Sequence, residues 1–296
     1  MRRLLVLLAS LLLLGLVAFW YVTRPDPLPP RAMAGLTGDP QHGKLVFWAG
    51  GCASCHAAKG ATGADLLKLG GGRALVTAFG TFHVPNISPD PKDGIGDWTL
   101  QDFGNALLRG LRPDGAHLYP AFPYTSYNKM TRQDVADLWA YLRTLPAIAK
   151  PDKPHDLRFP FNIRRLVGGY DFLYASKAWV VTGELTPQEM RGRYLAEAVT
   201  HCGQCHTPRN MLGAMETSRW LAGAPNPDGQ GRIPNITPAH LKWSTTDIEA
   251  FLTTGLTPDY DSAGGQMADV VQNLAHLPKS DIAAIAAYLK KVPPVK

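Results

Sequence analysis

Cysteine is scarce in this chain: four residues in 296, none of them outside two short stretches. That is too few for a scaffold stapled by disulfides, and a hydrophobic content of 45% supplies ordinary cores without staples. No glycine-rich phosphate loop, catalytic-triad pattern or nucleic-acid motif is present. Nucleotide chemistry, triad hydrolysis and nucleic-acid recognition therefore have no residues to rest on. A net charge of +6 hints only faintly at acidic partners, because Arg2, Arg3 and Arg24 flank the chain's one long apolar run.

What cysteine there is falls into a repeated arrangement. "GGCASCHAAKG" covers residues 50–60 and "THCGQCHTPRN" covers residues 200–210. A four-thiolate zinc site places its two pairs about 15–20 residues apart and gives no reason for a histidine after each. A thioredoxin-like pair needs a βαβ setting, and neither stretch has one. C-x-x-C-H is the attachment signature of c-type haem. Two thiols on a single helical turn reach the two vinyl groups, and the adjacent histidine turns towards the iron. The sequence thus predicts two covalently bound haem c groups, one on Cys52, Cys55 and His56, the other on Cys202, Cys205 and His206.

Covalent haem is attached outside the cytoplasm, and the N-terminus agrees. Arg2 and Arg3 precede an uncharged apolar run from Leu4 to Val22. At ~1.5 Å per helical residue the run approaches the ~30 Å hydrocarbon thickness. Phe19, Trp20 and Tyr21 occupy the place where a signal peptide would carry small residues, and they suit an interfacial aromatic belt. The expectation is an uncleaved single-pass anchor in the inner membrane, with residues beyond it in the periplasm.

The expected fold class is all-α: two tandem cytochrome c domains behind a single N-terminal transmembrane helix. The expected divisions are a signal-anchor helix at 1–24, a proline-rich tether at 25–37, domain 1 at 38–147, a connector at 148–184 and domain 2 at 185–296. Asp39 with Pro40, and the capping box of Thr186 and Glu189 around Pro187, each predict a helix leading to a haem motif. "PNISP" (85–89) and "PNITP" (234–238) stand at nearly equal offsets from those motifs, which favours a structural turn over a glycosylation site. "DWTLQDFGNALLRG" pairs with "KWSTTDIEAFLTTG", and "TRQDVADLWAYLRTLP" with "KSDIAAIAAYLKKVPP". Val135, Leu138, Trp139 and Leu142 share one helical face, as do Ile282, Ile285 and Leu289.

An electron-transfer iron takes a second axial ligand, commonly a methionine thioether. Met130 and Met267 are the candidates in the C-terminal halves of the two domains, each in a loop or at a helix start. His83, His117 and His276 are the histidine alternatives. Met211 and Met215 lie on the proximal side and are expected to pack. His117 and Arg209 are candidates for haem propionates, and His201 is expected to be surface or packing. In the connector, Lys150, Lys153, Arg158, Arg164 and Arg165 offer a possible docking face, with simple packing across both domains as the other reading.

Taken together, the two C-x-x-C-H motifs, "NISPDPKDGIGDWTLQDFGNALLRG", "RPDGAHLYPAFPYTSYNKM", "NITP" and "GGQMADVVQNLAHL" resemble the multi-haem cytochrome c subunits of membrane-bound periplasmic alcohol and gluconate dehydrogenases. The resemblance covers nearly all of residues 38–293. It implies axial ligation by Met130 and Met267, and a connector of similar kind between domains. It also implies single-electron transfer from a partner dehydrogenase towards a quinone, cytochrome or terminal oxidase, with no catalytic residues of its own. The alternative is a di-haem enzyme such as a peroxidase, which needs an open iron position that two methionine ligands would close.

Overall fold

A computed structural model describes residues 1–226 and 231–296. The chain is mainly helical. Helix α1 (Arg2–Val22) stands clear of the rest for nearly its whole length, with its apolar side chains exposed. Helices α2 (Pro40–Ala49), α3 (Cys52–His56), α4 (Leu100–Arg109), α5 (Tyr124–Tyr127) and α6 (Arg132–Leu142) make the first helical unit. After α7 (Leu166–Tyr174), helices α8 (Pro187–Arg193), α9 (Gly203–His206), α10 (Thr245–Thr254), α11 (Gln266–Leu274) and α12 (Lys279–Lys291) make the second.

The helix ends follow the local chemistry of the sequence. Asp39 caps α2 by accepting from the Gln41 amide, with Pro40 at the first position. Capping boxes open α4 at Thr99 and Asp102, α8 at Thr186 and Glu189, and α10 at Ser244 and Asp247. Both α4 and α10 stop at a left-handed glycine, Gly110 and Gly255.

In each unit the first helix crosses the last at very close range. A side chain at Gly43 on α2 would land on the Asp137 carbonyl of α6, and one at Gly192 on α8 would land on the Ala284 carbonyl of α12. Glycine is the residue that permits this approach. The α2–α6 crossing is tied further: His42 Nδ1 lies 2.8 Å from Asp137 Oδ2, and Asp137 Oδ1 accepts from the Asp39 amide at 2.8 Å. Val135, Leu138, Trp139 and Leu142 are buried on α6, as are Ile282, Ile285 and Leu289 on α12.

Two features depart from a pair of simple helical repeats. Helix α8 continues as a π-helix over Tyr194–Val199, where the Thr200 amide donates to the Leu195 carbonyl at 2.7 Å. The helix before Cys202 is one residue longer from its crossing glycine than the helix before Cys52, and the wide turn absorbs that residue. Short strands also appear. Strands β1 (Ala74–Thr77) and β2 (Gly80–His83) form a hairpin joined by β3 (Asp156–Leu157) from the connector. Strands β4 (Ala224–Pro225) and β5 (Arg232–Ile233) pair antiparallel in the second unit. At two to four residues, these strands are too short to show an alternating pattern in sequence.

One hydrophobic core runs through both units, from Phe47 and Leu138 to Leu195 and Ile285. The connector is fixed mainly by its cations. Lys150 donates to the Gly71 carbonyl at 2.7 Å, Arg164 to the His117 carbonyl at 2.8 Å, and Arg165 to the Trp20 carbonyl at 3.0 Å. Three of the five suggested docking cations are therefore spent on internal carbonyls. Lys153 and Arg158 remain exposed, so the packing reading describes this segment better than a basic docking face.

Candidate functional site

Each C-x-x-C-H motif sits on a short helix immediately after the long first helix of its unit. In the first, the His56 Nδ1 lies 2.9 Å from the Pro85 carbonyl. In the second, the His206 Nδ1 lies 2.8 Å from the Pro234 carbonyl. A carbonyl only accepts, so each Nδ1 carries the proton and each Nε2 is left with a free lone pair. Both rings are half-buried. Burial lowers the His56 pKa to about 4 and that of His206 below its usual value, against the raising effect of each proline carbonyl. Both imidazoles are neutral near pH 7, the form that binds a metal.

The duplicated pentapeptides supply those carbonyls. Asn86 Nδ2 donates to the Ile148 and Lys150 carbonyls at 2.7 and 3.0 Å, while its Oδ1 accepts from the Ser88 amide at 2.9 Å. Asn235 Nδ2 donates to the Val295 carbonyl at 2.8 Å, and its Oδ1 accepts from the Thr237 amide at 2.9 Å. Both asparagines are structural turns, with their side chains pinning the carbonyl-bearing loop to the chain beyond the last helix. The other end of each loop matches too. The Gly71 amide donates to the His56 carbonyl at 2.8 Å, and the Gly223 amide to the His206 carbonyl at 2.7 Å. Both glycines have positive φ, and a side chain at either would strike the proline–asparagine loop.

None of the four cysteines is paired in a disulfide. Burial pushes the Cys52 thiol up to about 12 and raises the other three. A redox or catalytic thiol shows the opposite, a lowered value in a cationic setting. Nor do the four sulfurs converge: among the described residues, the only three-donor cluster that could hold a metal ion is His42, Asp134 and Asp137. There the His42 and Asp137 atoms already bind each other across the helix crossing. Two thiols and a neutral imidazole with a free Nε2, presented from one helical turn, fit a covalently attached haem at each motif. Trp48 Nε1, four residues before Cys52 in sequence, is buried without a partner among the described residues.

The two methionine candidates sit at different distances from the last helix of their units, Met130 just before α6 and Met267 at the start of α11. Met130 is buried between α5 and α6. Met267 is the second residue of α11 and is partly buried against the core. Among the histidine alternatives, His117 is committed at both nitrogens, to Asp171 Oδ2 and to the Thr23 carbonyl, each at 3.1 Å. That excludes it as a ligand and leaves it no proton for a propionate. His276 stacks on Trp48 with ring centroids 4.0 Å apart. Arg209 is spent on the Gly213 and Gln204 carbonyls at 2.6 and 2.9 Å. Met211 does not pack, being 95% exposed at a loop tip.

Sequence reasoning missed how the two sites hold each other. Ser54, between Cys52 and Cys55, accepts from Asn273 of α11, the helix that begins beside Met267, at 2.7 Å. Gln204, between Cys202 and Cys205, donates to Thr125 and Ser126 of α5, just before Met130, at 3.2 and 2.8 Å. His201, next to Cys202, places Nε2 3.3 Å from the Gly50 carbonyl and meets the Tyr127 ring edge-on at 5.5 Å. Cys205 is near enough to Cys55 to add to the upward push that burial gives the Cys55 thiol. Only the polar residue inside each C-x-x-C pair signalled this, and it carries no partner in sequence.

A family model described as Cytochrome c matches residues 40–146 and 189–293. The chain is 57% identical over 289 residues to a protein of Cereibacter sphaeroides named "Diheme cytochrome c-type", covering 98% of this chain and 97% of that one. It is 38% identical over 277 residues to the fructose dehydrogenase cytochrome subunit of Gluconobacter japonicus, covering 91% and 56% respectively. Against the cytochrome c subunit of alcohol dehydrogenase (quinone) from Gluconacetobacter polyoxogenes it is 35% identical over 269 residues, covering 86% and 56%. The chain spans about half the length of these two dehydrogenase subunits.

Proposed function

The chain belongs to the cytochrome c family, and from that premise we propose that it relays single electrons from a partner dehydrogenase towards the respiratory chain, at the periplasmic face of the inner membrane. It is an electron-transfer protein with two haem c groups, related to non-catalytic subunits of dehydrogenases. Bound haem iron supplies the one-electron couple. Cys52 and Cys55, and Cys202 and Cys205, tether the two groups. Pro85 and Pro234 fix the tautomer and aim of His56 and His206. Met130 and Met267 would supply the second ligand to each iron, in domains at 38–147 and 185–296. Helix α1 anchors the chain, and the acceptor is a quinone, a cytochrome or a terminal oxidase.

The observation that carries this reading is the duplicated histidine–proline carbonyl pair, 2.9 and 2.8 Å, each beside two cysteines that form no disulfide. Two sites of one design, each with a methionine in reserve, suit relay rather than catalysis at an open iron. The direct test is the reduced spectrum with and without carbon monoxide. Two low-spin haems indifferent to carbon monoxide are expected, and a high-spin haem that binds it would mark an open-site enzyme instead. Affinity isolation from detergent-solubilised membranes should recover a dehydrogenase with the chain.

A further inference from the structure

The connector between the two units carries an apolar surface that nothing among the described residues covers. Phe159 is 79% exposed, Phe172 70% and Leu173 63%. Phe161 and Ile163 are exposed between them. The surface continues into the second unit: the Phe161 ring meets Phe79 at 4.8 Å, and Phe79 borders the Gly213 turn beside Met211, itself 95% exposed. Helix α7 buries Val167 and Gly168 and turns Phe172 and Leu173 outward. Large exposed apolar patches of this kind mark interaction surfaces.

Where this surface lies is fixed by α1. A side chain at Gly168 would sit 2.6 Å from the Thr23 carbonyl, so α7 rests directly on the end of the apolar helix. His117 and Arg165 both bond Thr23, the first through its carbonyl at 3.1 Å and the second through its hydroxyl at 3.0 Å. Arg165 also reaches back to the Trp20 carbonyl at 3.0 Å and lies over the Trp20 ring. Trp20 is about 4.5 Å further down the helix than Thr23, at ~1.5 Å per residue. The connector is thus clamped at the depth of the aromatic residues Trp20 and Tyr21, and Arg24 stacks on Tyr21 there. Aromatic and basic residues side by side at the end of an apolar span are the composition of a bilayer interface.

We propose that the surface formed by Phe159, Phe161, Ile163, Phe172, Leu173 and Met211 lies in the lipid interface of the membrane that α1 enters, as a second, monotopic attachment. The inference rests on the reading of α1 as a membrane span. It goes further, because it fixes the orientation of both units on the membrane. A single helix would let them swing on a tether. A clamped helix with an interfacial surface holds the Met211 loop, and the Cys205–His206 motif from which it follows, against the lipid.

The test uses the full-length holoprotein in phospholipid vesicles. Its own cysteines are consumed in haem attachment, so an introduced thiol is the only reactive one. Nitroxide labels at Phe159→Cys and Phe172→Cys should collide more with oxygen, which concentrates in lipid, than with a polar nickel chelate. Tyr260→Cys, at a position 88% exposed in the second unit, supplies the aqueous reference with the reverse ratio. If 159 and 172 behave like 260, or are reached by neither reagent because protein covers them, the proposal is overturned. A label at Leu12→Cys reports on the span alone. Lipid contact at 12 with water at 159 and 172 keeps the anchor and removes the interfacial surface. Water at 12 with lipid at 159 and 172 does the opposite.

Discussion

His201 stands between the two haem motifs, and its protonation is opposed by burial, with the Gly50 carbonyl acting the other way. Its pKa in the folded protein is below the free value of 6.5. The unfolded chain therefore binds this proton more readily, and folding releases it. The contribution to stability is complete above pH 6.5 and is lost as pH falls below it towards the folded value. His201→Asn keeps a residue tolerant of the positive φ found there. It should flatten the fall in denaturant midpoint below pH 6.5, by up to about 1.4 kcal/mol per pH unit. Asn86 offers a second test. Asn86→Ala leaves the Ile148 and Lys150 carbonyls without their donor and frees the Pro85 loop. Equilibrium unfolding should show a loss of about 1–3 kcal/mol. Asn235→Ala should cost less, since Asn235 is partly exposed and Asn86 is buried.

Among the elements, the crossings of α2 with α6 and of α8 with α12 set the shape of each unit. Gly43→Ala and Gly192→Ala each drive a methyl group into a carbonyl on the facing helix. Each should cost about 1–3 kcal/mol or more by overpacking, measured as a lowered denaturant midpoint. Capped helices, the haem helices and the buried faces of α6 and α12 were legible in the sequence because each is a local pattern: a cap, a spacing, a period. The crossing glycines were not, since a glycine in a helix shows its purpose only through the helix it touches. The π-turn over Tyr194–Val199 was likewise hidden, because its extra residue shows only once Gly43 and Gly192 are known to be the matching crossing points. The commitment of His117 to Asp171 and Thr23 depends on contacts far along the chain. It could not be seen from "DGAHLYP".

At the level of the molecule, two haems and one anchor are separable claims. Replacing Cys52 and Cys55 with alanine should remove one covalent haem and leave the other, counted by pyridine haemochrome absorbance per chain. Loss of both would show that the Ser54–Asn273 and Gln204–Ser126 bonds make the sites fold as one. Helix α1 is long and apolar enough to cross a membrane. The protein should stay with the membrane fraction through carbonate washing, and mass spectrometry should find Arg2 and Arg3 retained. A mature N-terminus near residue 25 would refute the anchor and leave the haem count untouched.

The bond between Ser54 and Asn273 joins positions 219 residues apart. A chain grows at about 5–20 residues per second. The first attachment motif therefore leaves the ribosome about 10–40 s before its final clasp has been made. During that interval the first motif lacks the second unit that later packs against it. The second motif has Thr125 and Ser126 waiting when Gln204 arrives. The two sites share a design but not a schedule: the residue that clasps the first comes late in the chain, and those that meet the second precede it.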